Sequence, residues 1–169
     1  MTTLAQLNAL GREAFVAKLG HIFEHSPWVA EGAWDARPFV SLEHLHGTMV
    51  GVVDEATREE QLVLIRAHPE LLGRLAQATP LSAESRLEQA GAGLDSAGMA
   101  ELSTLAALNA QYRAKFGFPF IVAVRGMDHA QIVARMGERL ANTPEEEFAQ
   151  CLSQIARIAR FRLEDLVAG

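Results

Sequence analysis

The stretch that decides the fold is residues 143–167, TPEEEFAQCLSQIARIARFRLEDLV. It begins with a threonine suited to an N-cap, a proline at the first helical position and glutamates in the first turn, which is a typical helix start. At about 100° per residue, its apolar side chains share one face. These are Phe148, Cys151, Leu152, Ile155, Ile158, Ala159 and Leu166. The sequence therefore predicts a long helix, ending near Val167, with one face in a core.

An arginine interrupts that apolar face. Arg162 lies in its middle, whereas Arg157 and Arg160 point away. A guanidinium directed at a core needs an anion or several carbonyl acceptors beside it. Two interpretations stay open: a structural one, in which the side chain forms a buried ion pair or snorkels to solvent, and a functional one, in which it binds an anionic ligand. The residues alone favour the structural interpretation.

The rest of the chain also favours helices, because Leu, Ala, Glu and Arg dominate and turn residues are sparse. Predicted helices cover residues 4–19, after a Thr2 or Thr3 cap, and a short segment from a Ser26 cap through Trp34. Two more follow a Ser41 cap and a Thr57–Glu60 capping box. The others cover residues 82–91, 98–116 and 129–140, the last after an Asp128 cap. The run Leu62-Val63-Leu64-Ile65 predicts a helix buried on all sides. Pro119 favours an extended segment over 118–124. We expect an all-α, single-domain bundle of about eight helices over residues 1–169.

Composition excludes several classes of protein. The 169 residues carry 15 Lys+Arg against 21 Asp+Glu, a formal net charge of −6, so a nucleic-acid partner is not expected. The single Cys151 excludes an internal disulfide and a zinc site built from several thiolates. No apolar run approaches the ~18 residues that span a bilayer, and the N-terminal residues lack a signal-peptide pattern. The expectation is a cytoplasmic protein without a membrane partner.

Four polar residues are candidates for chemistry. His68 precedes Pro69, which disfavours helical geometry at the histidine and so places it at a joint between two helices, with Pro69 starting the second. A joint can hold an imidazole in a fixed place for proton transfer, but the residues alone favour a plain capping role. Ser85, Glu88 and Gln89 share one side of a predicted helix and suit either a polar ligand or solvent.

Two further features favour structural roles over binding. Asn109 lies between apolar positions of its predicted helix, where a locally bonded buried amide is expected. His21 and His25 have the spacing of two metal ligands on one helical face, but two histidines do not complete a site. We therefore expect no metal, and we find no motif for a cofactor.

Five segments in order resemble one known family. They are SPWVAE (26–31), LIRAHPEL (64–71), SRLEQAGAGL (85–94), LNAQYRAKFGFPFI (108–121) and RFRLED (160–165). Together they are similar to the 2-oxo-4-hydroxy-4-carboxy-5-ureidoimidazoline (OHCU) decarboxylases. The resemblance implies an all-α homodimer of purine catabolism that converts this urate-derived compound into (S)-allantoin and carbon dioxide without a cofactor.

The resemblance also implies roles for individual residues. His68 matches the family's proton donor, Pro69 shapes the same loop, and Ser85, Glu88 and Gln89 match residues that contact the ligand. Residues Phe120, Ile121, Val122, Ala123 and Val124 match a segment whose backbone touches the ring. Arg162 matches the arginine of the family's terminal motif. The implied partner is a small anionic ureidoimidazoline. The alternative function is a non-enzymatic helical module that binds a purine-derived anion.

Overall fold

The computed structural model describes residues 1–71, 84, 85, 87, 88 and 99–168, except for the side chains of Met99 and Leu102. These residues are mainly helical and contain eight α-helices, which confirms the predicted all-α class. The helices are α1 (Leu4–Ala9), α2 (Arg12–Leu19), α3 (Trp28–Ala33), α4 (Leu42–Glu55), α5 (Arg58–Ala67), α6 (Met99–Phe116), α7 (His129–Arg139) and α8 (Pro144–Leu166). Within the described ranges, no helix is both long and apolar enough to cross a membrane.

The remaining regular structure is small. A 3-10 turn, Trp34–Ala36, follows α3. Two short strands, β1 (Thr2–Thr3) and β2 (Val167–Ala168), pair in parallel with Thr2 opposite Val167. Close packing groups the chain into two compact units, one formed by Met1–Ala67 with Ala156–Gly169 and the other by His68–Ile155. Helix α8 contributes residues to each unit.

Most predicted helix starts in the first unit are present. Thr3 forms a reciprocal capping box with Gln6, and the Ser41 side chain accepts a hydrogen bond from the amide of His44. Thr57 and Glu60 cap each other's amide groups, as their spacing predicts. These caps satisfy amide groups that the first turn of a helix leaves without partners.

The predicted helix over 4–19 is wrong in one respect, because it is interrupted between α1 and α2. The Arg37 Nη1 donates to the carbonyls of Asn8 and Leu10 at 2.9 and 2.7 Å. Those bonds take up carbonyls at the end of α1, and Leu10 turns to an extended conformation. Gly11 then occupies the N-cap position of α2.

Two other local predictions are also wrong. Ser26 does not cap α3, since Pro27 occupies the N-cap position and the Ser26 hydroxyl donates to the carbonyl of Glu24 at 2.9 Å. Helix α5 is not buried on all sides, because Val63 is 60% exposed while Leu64 and Ile65 are buried. An apolar run of four residues covers more than one full turn, so one member can face solvent at little cost.

The second unit contains α6, α7 and the first half of α8. Asp128 forms a capping box with Gln131 at the start of α7, and Thr143 caps the start of α8. Residues 118–124 lie outside any helix or strand, and all of them are buried. The Tyr112 ring packs against Phe116 and Phe120, with ring centroids 4.5 and 5.3 Å apart. This buried connection between α6 and α7 is the segment in which the sequence predicts an extended chain.

Candidate active site

His68 occupies the position that the sequence predicts at the end of a helix. Helix α5 ends at Ala67, and His68 follows as a bend residue with only 6% of its surface exposed. Pro69 does not begin a second helix, because neither it nor Glu70 is helical. A proline lacks the amide that a continuing helix would use, so the chain turns away here. The imidazole is therefore held at a buried joint.

Helix α6 holds the backbone that follows His68. The Asn109 side-chain amide donates to the carbonyl of Leu71 at 2.8 Å, and the Arg113 Nε donates to the Glu70 carboxylate at 2.5 Å. The expected local bonding of Asn109 is wrong, since its partner is 38 residues away in sequence. Long-range bonds of this kind restrict the joint more than a bond within one helix does.

Ser85 and Glu88 belong to the same unit as His68. Both are helical, with Ser85 buried and Glu88 half-buried. Their spacing of three residues puts both side chains on one side of the helical turn, as the sequence predicts. Gln89 and most of the predicted helix 82–91 lie outside the described residues.

Segment 118–124 is held by side chains from two helices. The Arg139 Nη1 of α7 donates to the carbonyl of Ile121, and the Ala123 amide donates to the Gln154 Oε1 of α8 at 3.0 Å. The carbonyl of Val124 accepts a hydrogen bond from the amide of Met127 at 2.9 Å. Buried backbone groups outside regular structure need such partners. The conformation of the segment is therefore determined by α7, α8 and the turn after Val124.

A buried ionic network, not predicted from the sequence, lies beside this segment. Arg139 forms a forked ion pair with Glu147, with Nε–Oε1 and Nη2–Oε2 distances of 3.0 and 2.8 Å. Glu147 also accepts from the Tyr112 hydroxyl and, at 2.9 Å, from the Asn142 side chain. Arg139 is 4% exposed and Glu147 is fully buried. Such a pair is stable in a core only when further hydrogen bonds satisfy both partners.

A signal for Arg139 was present in the sequence. Ile132, Met136 and Arg139 are spaced four and three residues apart, so all three lie on the buried face of α7. Arg139 interrupts an apolar helical face, as Arg162 does on α8. Glu147 is harder to find, because glutamates in the first turn of a helix usually interact with the helix dipole in solvent.

Burial changes the acid–base behaviour of two groups in this network. Loss of contact with water raises the pKa of the Tyr112 hydroxyl, and the nearby Cys151 adds to that shift. Burial likewise raises the pKa of the Cys151 thiol, more than its hydrogen bond with Tyr112 and the charge of Arg139 lower it. Cys151 is therefore a protonated core residue, which agrees with its position on the apolar face.

We expect Cys151 to be inert towards thiol reagents in the native protein. Its labelling by Ellman's reagent at pH 8 should be slower by about 100-fold or more than in guanidinium chloride, because reaction requires local opening. The unfolded chain releases the thiol proton at lower pH than the folded one, so stability should fall as the pH rises above the unfolded thiol pKa. Cys151→Ala should lose that part of the pH dependence. Rapid native labelling would contradict the burial of this thiol.

Arg162 lies in the first unit and is paired there. It is 5% exposed, and its Nη2 contacts the Glu24 carboxylate at 2.9 Å. Its Nη1 donates to the carbonyls of His21 and Ile22 at 3.4 and 3.3 Å. The interpretation of Arg162 as one half of a buried ion pair is thus confirmed. Glu24, its partner, was not predicted from the sequence.

Replacing Glu24 with glutamine should destabilise the protein by about 3 kcal/mol, because it removes the negative charge that contacts the buried Arg162 guanidinium at 2.9 Å. Urea unfolding monitored by circular dichroism measures this. Glu31→Gln, a change of an exposed residue in the first turn of α3, is the matched control and should have an effect within about 0.5 kcal/mol. Equal midpoints for the two variants would show that the ion pair contributes little.

The histidine pair considered for metal binding does not have the required geometry. His21 and His25 lie in the turns between α2 and α3, so the one-face spacing of a helix does not apply. His25 adopts a left-handed backbone conformation with φ of 48°. Among the residues that the structure describes, no three His, Cys, Asp or Glu side chains form a group that can hold a metal.

The fold and the site define a class of protein. It is an all-α protein in which the His68 imidazole, the Ser85 hydroxyl and the Glu88 carboxylate belong to one unit. The same unit contains the buried backbone segment 118–124, which side chains of α7 and α8 hold. The profile of the OHCU decarboxylase family matches residues 8–164. The chain therefore belongs to the OHCU decarboxylase family.

Individual relatives support this assignment. The chain is 42% identical to the 2-oxo-4-hydroxy-4-carboxy-5-ureidoimidazoline decarboxylase of Haloferax volcanii, over 96% of this chain and 95% of that protein. A crystal structure of (S)-allantoin synthase superposes with a TM-score of 0.81 at 31% identity, covering 99% of this chain and 54% of the other. An OHCU decarboxylase crystallised in the presence of (S)-allantoin has the same fold, with a TM-score of 0.66 at 22% identity, covering 92% of this chain and 98% of that one.

Proposed function

We propose that this protein is a carboxy-lyase that converts 2-oxo-4-hydroxy-4-carboxy-5-ureidoimidazoline into (S)-allantoin and carbon dioxide in urate degradation. The bond between the ring and the carboxylate breaks, carbon dioxide leaves, and the electron pair enters the conjugated imidazoline system. The carbon that carried the carboxylate is left as an enol. One proton then adds from one face to the neighbouring ring carbon, which bears the ureido group, and the enol hydroxyl loses its proton to become the ring carbonyl of allantoin. Because the ring itself accepts the electrons, the proposed reaction needs no cofactor.

The observation that carries the proposal is the buried His68 at the end of α5. A histidine side chain can donate a proton near neutral pH, and a fixed joint presents that proton to one face of a bound ring. Delivery to one face accounts for a single enantiomer. Asn109 and Arg113 of α6 support this role by fixing the residues that follow the histidine.

The other family residues are proposed to bind and orient the substrate. Ser85 and Gln89 supply hydrogen-bonding groups, and Glu88 orients the imidazole or the substrate hydroxyl. Pro69 shapes the joint at His68. The backbone of residues 120–124 contacts the ring. All of these residues fall in the sequence range of the unit His68–Ile155.

Arg162 is proposed to attract the substrate's carboxylate through its guanidinium, of which Nη2 also contacts Glu24. Its pairing with Glu24 supports a fixed orientation of the guanidinium. In this proposal Arg162→Gln raises KM beyond what its loss of stability explains. An unchanged KM for the folded variant would assign Arg162 to structure alone.

Turnover distinguishes this enzyme from the alternative, a helical module that binds a purine-derived anion. The substrate is generated from urate in the cuvette by urate oxidation and 5-hydroxyisourate hydrolysis, and its absorbance decay is followed with catalytic amounts of the protein. The enzyme should accelerate the decay of many equivalents of substrate. A binding module would protect or retain at most about one equivalent per site and would not accelerate decay.

We further propose that the protein is a cytoplasmic homodimer, as the family resemblance implies. Sedimentation equilibrium should give about twice the mass of 18.4 kDa calculated for one chain. A single-chain mass at micromolar concentrations would contradict the dimer, and fractionation of cells tests the location.

A further inference from the structure

We infer that Arg139 and Gln154 are positioning residues for the proposed decarboxylation, acting through the backbone of residues 120–124. The inference rests on the proposed function, because that function assigns the segment to ring contact. Neither side chain belongs to the substrate-contacting set proposed above. Their role is to fix the shape of the segment from two different helices.

The first observation is that the two bonds reach alternate residues of one segment. Arg139 binds the carbonyl of Ile121, and Gln154 binds the amide of Ala123. In an extended chain, the backbone groups of residues i and i+2 point to one side and those of the residue between them to the other. Where residues 121–123 are extended, as the sequence predicts for 118–124, we infer that the amide and carbonyl of Val122 face away from Arg139 and Gln154. They form a donor–acceptor pair that matches the amide-like edges of a ureidoimidazoline.

The second observation is the rigidity of the Arg139 side chain. Its fork is fixed by Glu147, and its guanidinium lies over the Phe120 ring, 4.4 Å from the centroid. One side chain therefore contacts two consecutive residues of the segment. Replacing a buried ion pair with apolar residues is often neutral for stability, so stability alone does not explain this pair. Arg139 also orients the buried carbonyl of Ile121, and that role explains the pair.

The third observation is that Gln154 and Glu147 lie on the same helix, α8. Gln154 is 8% exposed and lies on α8 two turns after Glu147. Helix α8 thus carries both the counter-charge for Arg139 and the acceptor for Ala123. A shift of the segment would break both contacts, so it has one favoured position. Displacements of about 1 Å at a reacting group can lower rates by about 100-fold.

The test uses Gln154→Met, which keeps the side-chain length but removes the acceptor for Ala123. We expect kcat/KM per folded molecule to fall about tenfold and the excess of (S)-allantoin to decrease, while the unsatisfied Ala123 amide lowers the melting temperature by a few degrees. Gln154→Glu restores an acceptor and should recover most of the activity. Gln150→Met, one turn earlier on α8, is the matched control and should behave like the wild type.

Arg139→Lys approaches the same segment from α7. A lysine keeps the positive charge beside Glu147 but cannot reproduce the fork that also reaches Ile121. We expect a loss of kcat/KM of about tenfold or more, which remains interpretable if Gln154→Met does not fold. Unchanged kcat, KM and enantiomeric excess per folded molecule in either variant would overturn the inference. A loss of activity that only follows the unfolded fraction would overturn it too.

The wild-type protein in the same assay distinguishes failure of the proposed function from failure of the positioning role. If it does not accelerate formation of (S)-allantoin, the proposed function fails. If it does and Gln154→Met matches it in every parameter, only the positioning role fails.

Discussion

His68→Asn is expected to abolish the enzymatic excess of (S)-allantoin. Asparagine is close to histidine in size and remains polar, so the buried joint after α5 can be retained, but its side chain cannot donate a proton as an acid. Loss of a general acid lowers kcat/KM by about 10²–10⁴-fold. At that level, spontaneous decay of the unstable substrate produces most of the allantoin, and the product becomes nearly racemic.

The matched control for this variant is His129→Asn in the same unit. His129 contacts Glu101 at 2.9 Å near the surface and has no part in the proposed site. It should retain wild-type activity. Circular dichroism must show that both variants fold. Full activity of folded His68→Asn would remove His68 from its proposed role and leave the proton to another group.

Glu147→Ala is expected to destabilise the protein by about 5 kcal/mol, at the upper end of the range for a broken buried ion pair. The carboxylate accepts bonds from Arg139, Tyr112 and Asn142, and all three lose that partner at once. The buried guanidinium is also left without its counter-charge. Urea unfolding, or failure to obtain folded protein at 37 °C, measures the effect.

A double replacement tests whether the unpaired buried charge causes this loss of stability. Arg139→Met combined with Glu147→Met removes both charges and should cost much less than Glu147→Ala alone, because no unpaired ion remains buried. Glu145→Ala removes an exposed acid from the same turn of α8 and should cost at most about 1 kcal/mol. Equal losses for Glu145→Ala and Glu147→Ala would contradict the buried network.

The sequence predicted helices well where their ends are determined by local chemistry. The capping residues Thr3, Ser41, Thr57 and Asp128 all act as expected, because a cap depends on residues within one turn. The interruption between α1 and α2 could not be predicted from the local sequence. It depends on Arg37, which is 27 residues away from Leu10 in sequence and close to it only in the folded chain.

In the candidate site, too, features with local causes could be predicted and long-range contacts could not. Helical periodicity placed Arg162 in a buried face, and Pro69 placed His68 at a joint, since both arguments are local. The partner of Arg162 is Glu24, 138 residues away, and no local pattern identifies it. Arg139 was accessible to the periodicity argument, whereas its bond to the Ile121 carbonyl was not. Long-range partners of buried polar groups are determined by packing, which a single sequence does not display.

In the proposed function, this protein decarboxylates the ureidoimidazoline and protonates the product on one face. The most direct test of this function is the enantiomeric composition of allantoin formed when the substrate is generated from urate in the presence of the wild-type protein. We expect a large excess of (S)-allantoin over the racemate that spontaneous decay gives. Racemic allantoin, formed no faster than without the protein, would contradict it.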